Sequence, residues 1–219
     1  MRYLWLSLII VAVIGIGISD LSVRAEESAI IPAGSVEFFE SAEMPIESAG
    51  NLRFFMDVAG FRGAVGYTRQ EIYVLIDVKQ LRLEVKKNKR VGKMEFSTTL
   101  IDSSGETVKE KKWRRAVSIE DLDALADGGA PHREVVKFDL KPGLYGASIS
   151  VTDSKAGITG TAATLLEVRG FEREGLVFSD IQLAKEMVRT GNSDQYEKQG
   201  WKVVPNVNRT YVAGNALPI

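Results

Sequence analysis

From Leu52 onward, hydrophobic and polar residues alternate with a period of two. In MEFSTTLID, Met94, Phe96, Thr98 and Leu100 fall on one side, and Glu95, Ser97 and Thr99 on the other. In LYGASISVTD, Tyr145, Ala147, Ile149 and Val151 oppose Gly146, Ser148, Ser150 and Thr152. A strand sends successive side chains to opposite faces, so each run predicts a strand with one buried face. EIYVLIDV is apolar on both sides, with Ile72, Val74, Ile76 and Val78 opposite Tyr73 and Leu75. That pattern predicts a central strand covered on both faces. HREVVKFDL and GITGTAATLLEV complete the set.

The breaks between these runs carry turn chemistry. DSSGE (102–106) and DSKAGI (153–158) offer an Asp side chain to close a turn and a Gly for positive φ; KPG (141–143) supplies Pro and Gly. About seven strands between residues 50 and 170 predict an all-β fold, an immunoglobulin-like β-sandwich. Two stretches depart from the pattern. SIEDLDALADGG (118–129) has helical character, with Ser118 as cap and Leu122 and Leu125 on one face. SDIQLAKEMV (179–188) opens with Ser179 and Gln182 at capping-box spacing and predicts the start of a helix. Residues 26–49 mix Glu, Ser, Ala, Pro and Gly without a period and read as a linker or N-terminal arm. After the 179–188 stretch, GWKVVPNVNRTYVAGNALPI looks extended, so residues 171–219 are expected to begin a second β domain, incomplete within this chain.

Gly60, Gly63 and Gly66 precede the strand TRQEIYVLI. A phosphate cradle needs backbone N–H groups converging at a helix N-terminus. Here the following segment alternates as a strand, and neither the dinucleotide fingerprint nor the lysine-ended phosphate pattern is present. The glycines therefore predict a hairpin connection with Arg62 or Tyr67 exposed at its tip.

Composition narrows the setting. The 28 basic and 29 acidic residues nearly cancel, which gives no global attraction to nucleic acid. Cysteine is absent, excluding disulfides, thiolate metal sites and a cysteine nucleophile. At the N-terminus, Arg2 precedes the apolar run Leu4 to Ile18, followed by small residues at Val23 and Ala25. This is the make-up of a secretory signal cleaved after Ala25. The apolar run is about 15 residues, short of the roughly 20 that span a bilayer, so no membrane span is expected after cleavage. A periplasmic or secreted location follows.

Candidate chemistry is sparse. DLDALADGG places Asp121 and Asp123 at two calcium-loop positions, but Leu125 takes the third and His132 stands where the distal Glu belongs. His132 is the only histidine and has no nucleophile elbow beside it, so it reads as a strand-start residue. No catalytic, cofactor-binding or metal-binding residue is assigned. Two basic stretches remain, Lys86 to Arg90 and Lys109 to Arg115. Within the second, Lys111, Lys112, Trp113, Arg114 and Arg115 form the candidate ligand or partner patch, since a Trp among cations can stack on a sugar ring. The competing reading is a charged hairpin edge that blocks edge-to-edge aggregation.

The order of FFMDVAGFRG, TRQEIYVLI, FSTTLIDSSGETV with KKWRR, FDLKPGLYGASISVTD, LVFSDIQLAK and VVPNVNRTY resembles the N-terminal half of GWxTD domain-containing proteins, over roughly residues 50 to 219. The Gly-Trp-x-Thr-Asp motif itself is absent, since Gly200-Trp201 continues as Lys-Val-Val. The resemblance implies an exported bacterial protein with tandem β-domains and transfers no catalytic residue. The expected function is an exported, non-enzymatic β-sandwich module that meets a protein partner or an envelope component. Two alternatives stand beside it: an accessory domain of a secreted enzyme whose catalytic part lies beyond residue 219, and a periplasmic glycan-binding module using Trp113. Export has a direct check. N-terminal sequencing of the periplasmic fraction from a Gram-negative host is expected to begin at Glu26, and recovery of Met1 on membrane-bound protein would identify an anchor instead.

Overall fold

The computed structural model describes residues 39–40, 45–86, 89–119, 131–172, 174–192 and 194–211. The strands, in chain order, are β1 (Phe39–Glu40), β2 (Ile46–Glu47), β3 (Ala49–Gly50), β4 (Phe54–Arg62), β5 (Thr68–Ile76), β6 (Glu84–Lys86) and β7 (Lys89–Asp102). They continue as β8 (Thr107–Ile119), β9 (His132–Leu140), β10 (Gly143–Asp153), β11 (Thr159–Val168), β12 (Ala184–Arg189), β13 (Glu197–Lys198) and β14 (Trp201–Pro205). One sheet has the order β2-β4-β5-β9. The opposing sheet runs β11-β10-β7-β8, with β6 also on β7 and the short β1 and β3 on β11. Pairing is antiparallel throughout except for β1 on β11.

This is the all-β sandwich that the alternation predicts. β4 and β5 pair in one sheet, the chain crosses to the other for β7 and β8, returns for β9 and crosses again for β10 and β11. The alternating sets meet between the sheets. Ile72, Val74, Ile76, Phe54, Met56 and Val136 come from one side, and Met94, Phe96, Leu100, Ala147, Ile149 and Val151 from the other. β5 is central, between β4 and β9, and its opposite face also buries Tyr73 and Leu75.

The turns close as their chemistry predicts. Asp102 Oδ1 accepts from the N–H groups of Ser104 and Glu106. Asp153 Oδ1 accepts from Lys155 and Ala156 N–H. Its second oxygen accepts from Arg82 N–H, which fixes the connection entering β6. The end of the N-terminal arm is drawn into the sandwich at β2 and β3. There Ser48 Oγ donates to Leu52 O and accepts from Phe54 N–H, satisfying a buried turn.

The glycine segment is a hairpin connection, not a helix start. β4 and β5 pair from Phe54↔Ile76 to Arg62↔Thr68, and Gly66 takes φ 79°, the left-handed region that glycine enters without strain. Gly60 lies within β4 and serves another purpose. A Cβ there would lie 3.0 Å from Gln70 Oε1 and 3.2 Å from Asp180 Oδ2, so glycine lets the Asp180 carboxylate reach the strand.

One expectation is corrected. Residues 179–188 do not start a helix; Ala184–Arg189 form β12, which pairs with β14. Asp180 does not serve a helix N-terminus. Its N–H donates to Gly60 O at 2.9 Å, and its carboxylate accepts from Gly60 N–H at 2.7 Å. Long-range pairing outweighs a local cap worth about 1 kcal/mol. The residues expected to be helical at 118–129 lie outside the described residues, apart from Ser118 and Ile119 at the end of β8. The signal segment, residues 1–25, also lies outside them.

The three-stranded sheet β12-β14-β13 lies on the outer face of the β4-β5-β9 sheet. Val207 is buried there with Ala59, Tyr73 and Leu75.

If Gly66 serves the turn alone, Gly66→Ala costs on the order of 1 kcal/mol in chemical denaturation. Ile72→Ala, which empties core volume, costs roughly 2–4 kcal/mol. Millimolar ATP, GTP or NAD leaves the Tm unchanged, because a ligand held only by the native state must raise it.

Candidate functional site

Side chains with chemical potential gather in three places. The first is the predicted basic patch on β8. Register sets Trp113 opposite Phe96, Arg115 opposite Met94 and Lys111 opposite Thr98, all on the core-facing side of the sheet. Lys112 lies opposite Ser97 and Arg114 opposite Glu95, on the outer side. The five residues thus divide between two faces of one strand. Trp113 stacks on Phe96 with centroids 5.1 Å apart and planes 9° from parallel, and the Lys111 ammonium lies 5.6 Å from its ring. Arg114 pairs with Glu95 at 2.8 Å and Lys112 with Glu110 at 2.6 Å, exposed contacts of small energetic weight. Among the described residues β8 pairs only with β7, so it is a charged sheet edge.

Arg115 crosses to the other sheet. Its guanidinium donates twice to Glu134, from Nε at 2.8 Å and from Nη2 at 2.8 Å. His132, at the start of β9, places Nε2 3.3 Å from the same carboxylate and tilts against Phe96. The Glu134 side chain is only 2% exposed. Burial opposes its ionisation, but the hydrogen bonds from His132 and Arg115 and the Arg115 charge outweigh it and hold the carboxyl below its ordinary range. This group ties the edges of β8 and β9 together. The sole histidine is a strand-start residue, as expected, but a half-buried one.

The second place was not legible in the sequence. On the outer face of the β4-β5-β9 sheet, the Glu71 carboxylate lies 3.0 Å from Lys198 Nζ and 3.2 Å from Lys137 Nζ, and it accepts from Tyr73 OH. Lys198 Nζ also lies 3.4 Å from the centroid of Phe61. Burial works against the Glu71 charge, but Tyr73 and the two ammonium groups reverse the balance, so its pKa falls. Burial lowers the Lys198 pKa, offset in part by Glu71, and burial with the Glu71 charge raises that of Tyr73. Close by, Tyr196 OH donates to Arg133 O at 2.8 Å, and burial pushes its pKa up to about 12. Arg209, at φ 51°, grips Asp57 through Nη2 at 2.7 Å and Nε at 3.2 Å. Glu71 and Asp57 each meet a countercharge from the other layer, which is the arrangement of a buried polar lock.

The third place is the tip of the β4–β5 hairpin and the segment that leaves β11. Thr68 Oγ1 donates to Arg169 O, Gly66 N–H donates to Glu172, and Arg169 pairs with Asp180. Asp180 pairs with Gly60, and Asn206 N–H donates to Leu183 O at 2.9 Å. A segment pinned at so many points nonetheless holds Leu176, Phe178 and Ile181 at 82%, 73% and 89% exposure. Beside its start, Arg62, Val65, Tyr67, Pro142, Phe171 and Glu172 line a cavity of about 580 Å³. Alternation could not mark this segment, because its apolar residues sit in an irregular stretch.

Among the described residues, no cluster of three or more His, Asp or Glu is arranged to hold a metal ion. The same residues contain no helix long and apolar enough to cross a membrane. Asp121 and Asp123 of the calcium-like stretch lie outside them.

The buried carboxylates set the acid response. Because Glu71 and Glu134 have depressed pKa values, their stabilisation is complete above the ordinary carboxyl value of 4.5 and is lost as pH falls through the folded-state values. Thermal denaturation is expected to show Tm falling below about pH 4.5, with a shallower fall in Glu134→Gln. Lys198→Met leaves Glu71 with two of its three partners and costs about 2 kcal/mol at neutral pH.

No protein-family model matches this chain, and no curated protein matches it either, so the reading of its sites rests on their geometry.

Proposed function

We propose that the protein is an exported, non-enzymatic β-sandwich module that makes a protein contact, with a partner protein or an envelope component. The observation that carries this reading is the segment bearing Leu176, Phe178 and Ile181, which is anchored at Glu172, Asp180 and Leu183 while its large apolar side chains stand in water. Apolar side chains held out in this way mark interaction surfaces, since leaving each in water forgoes about 1.5–3 kcal/mol of burial. The buried carboxylates Glu71 and Glu134 are engaged in ion pairs between layers, as structural groups are. Against a glycan site on β8 stands the use of the Trp113 ring, which packs on Phe96 rather than presenting a free stacking face. The charged residues of β8 serve this reading as protection of a sheet edge.

The test uses Leu176→Ser, Phe178→Ser and Ile181→Ser combined. The variant is expected to keep the parental Tm, as surface changes usually shift stability by no more than about 0.5 kcal/mol. It is expected to lose photo-crosslinked partners in the envelope fraction of the native host, whereas Lys112→Glu with Arg114→Glu keeps them. Unchanged crosslinking by the triple variant would refute the reading.

A further inference from the structure

The cavity at the hairpin tip adjoins the apolar segment, and its lining is chemically divided. Tyr67, Phe171, Pro142 and Val65 supply apolar surface, contributed by three separate stretches of chain. Arg62 lines the same space, and its guanidinium has no partner among the described residues. Glu172, the acid within the lining, is already engaged by Gly66 N–H. In the connecting loop, Gly63 N–H donates to Tyr67 O and Tyr67 N–H to Ala64 O, while the N–H groups of Ala64 and Val65 have no partner among the described residues. A volume of about 580 Å³ falls in the range of ligand pockets. Apolar walls beside one unpaired guanidinium and unclaimed backbone donors suit a group that is apolar at one end and a carboxylate at the other.

Continuity with the neighbouring segment selects among such groups. Glu172 borders the cavity, and Leu176 and Phe178 follow it within six residues on the anchored stretch. A polypeptide lying on Leu176 and Phe178 would therefore run directly to the cavity mouth. We propose that the pocket captures the C-terminal end of a partner polypeptide, with its last apolar side chain against Tyr67, Phe171 and Pro142 and its α-carboxylate on Arg62. This proposal rests on the protein-contact reading above and names the partner's chemistry at the adjoining site. The glycine-rich turn thus has a binding role unrelated to a phosphate cradle: it holds Arg62 and Tyr67 on either side of a short loop.

The probes are N-acetyl-Ala-Leu-Phe with a free carboxylate, its C-terminal amide, and phenylpropionate, each titrated into the protein by calorimetry and followed by amide chemical shifts. The free acid is expected to bind about ten-fold more tightly than the amide, with shifts at Ala64 to Tyr67 and at Phe171. Arg62→Gln is expected to abolish that preference at unchanged Tm, and Tyr67→Ser to weaken both peptides. Absence of saturable binding by the acid at millimolar concentration overturns the proposal, as does equal affinity for acid and amide. Phenylpropionate binding as tightly as the peptide acid overturns the polypeptide assignment in favour of a small carboxylate. The Leu176, Phe178 and Ile181 serine variant separates the two readings. It retains tripeptide binding even where partner crosslinking is lost, so failure of the pocket and failure of the protein contact are read independently.

Discussion

A carboxylate on the outer face of a sandwich sheet ordinarily stays in water, and Glu71 does not. It sits beneath the β12-β14-β13 layer, where its charge is tolerated only because Lys198 comes down from that layer and Lys137 and Tyr73 approach along the sheet. Removing such a charge from water costs several kcal/mol unless partners replace the lost hydration. The outer layer is therefore held in one register by the need to place one ammonium over one carboxylate. Arg209 on Asp57 and Tyr196 on Arg133 repeat the constraint at two further points, and the small apolar cluster of Ala59, Tyr73, Leu75 and Val207 fills the space among them.

Once that layer is fixed, the path between β11 and β12 is constrained at both ends. The chain must pass the hairpin tip, where Gly66 and Thr68 receive it, and return along β4, where Gly60 O accepts from Asp180 N–H and Gly60 N–H donates to the Asp180 carboxylate. The absence of a side chain at Gly60 is what permits this approach. The segment held by these anchors turns Leu176, Phe178 and Ile181 outward. The exposed apolar segment and the cavity beside it are thus consequences of how the outer layer is tied down.

The far side of the sandwich is closed by different means. β8 and β9 are the adjoining edges of the two sheets, and the Arg115–Glu134 pair spans them with His132 alongside. The outward Lys112 and Arg114 are neutralised locally, which leaves β8 a charged edge ill-suited to pairing with a neighbouring molecule. Trp113 contributes by packing, extending the core beneath the strand through its stack on Phe96.

Much of the sandwich is legible in the sequence because a period of two is a local property. Met94, Phe96 and Leu100, or Ala147, Ile149 and Val151, declare their buried face without reference to the rest of the chain, and Asp102 and Asp153 close turns within four residues. The hairpin nature of the glycine segment was legible for the same reason, from the strand that follows it. The roles of individual charges were not. The patch from Lys111 to Arg115 is contiguous in sequence, yet strand geometry divides it between two faces and engages its Trp with Phe96 and its last Arg with Glu134. The helix expected from Ser179 and Gln182 rested on local capping, and it yielded to Asp180 pairing with Gly60, 120 residues earlier. Lys198 over Glu71 and Arg209 on Asp57 likewise join residues more than a hundred positions apart. The sequence by itself determined which residues form strands and which faces they bury, because those follow from neighbours along the chain. Only the tertiary structure decided where the charges pair and which apolar side chains remain in water, because those depend on which distant segments share a surface.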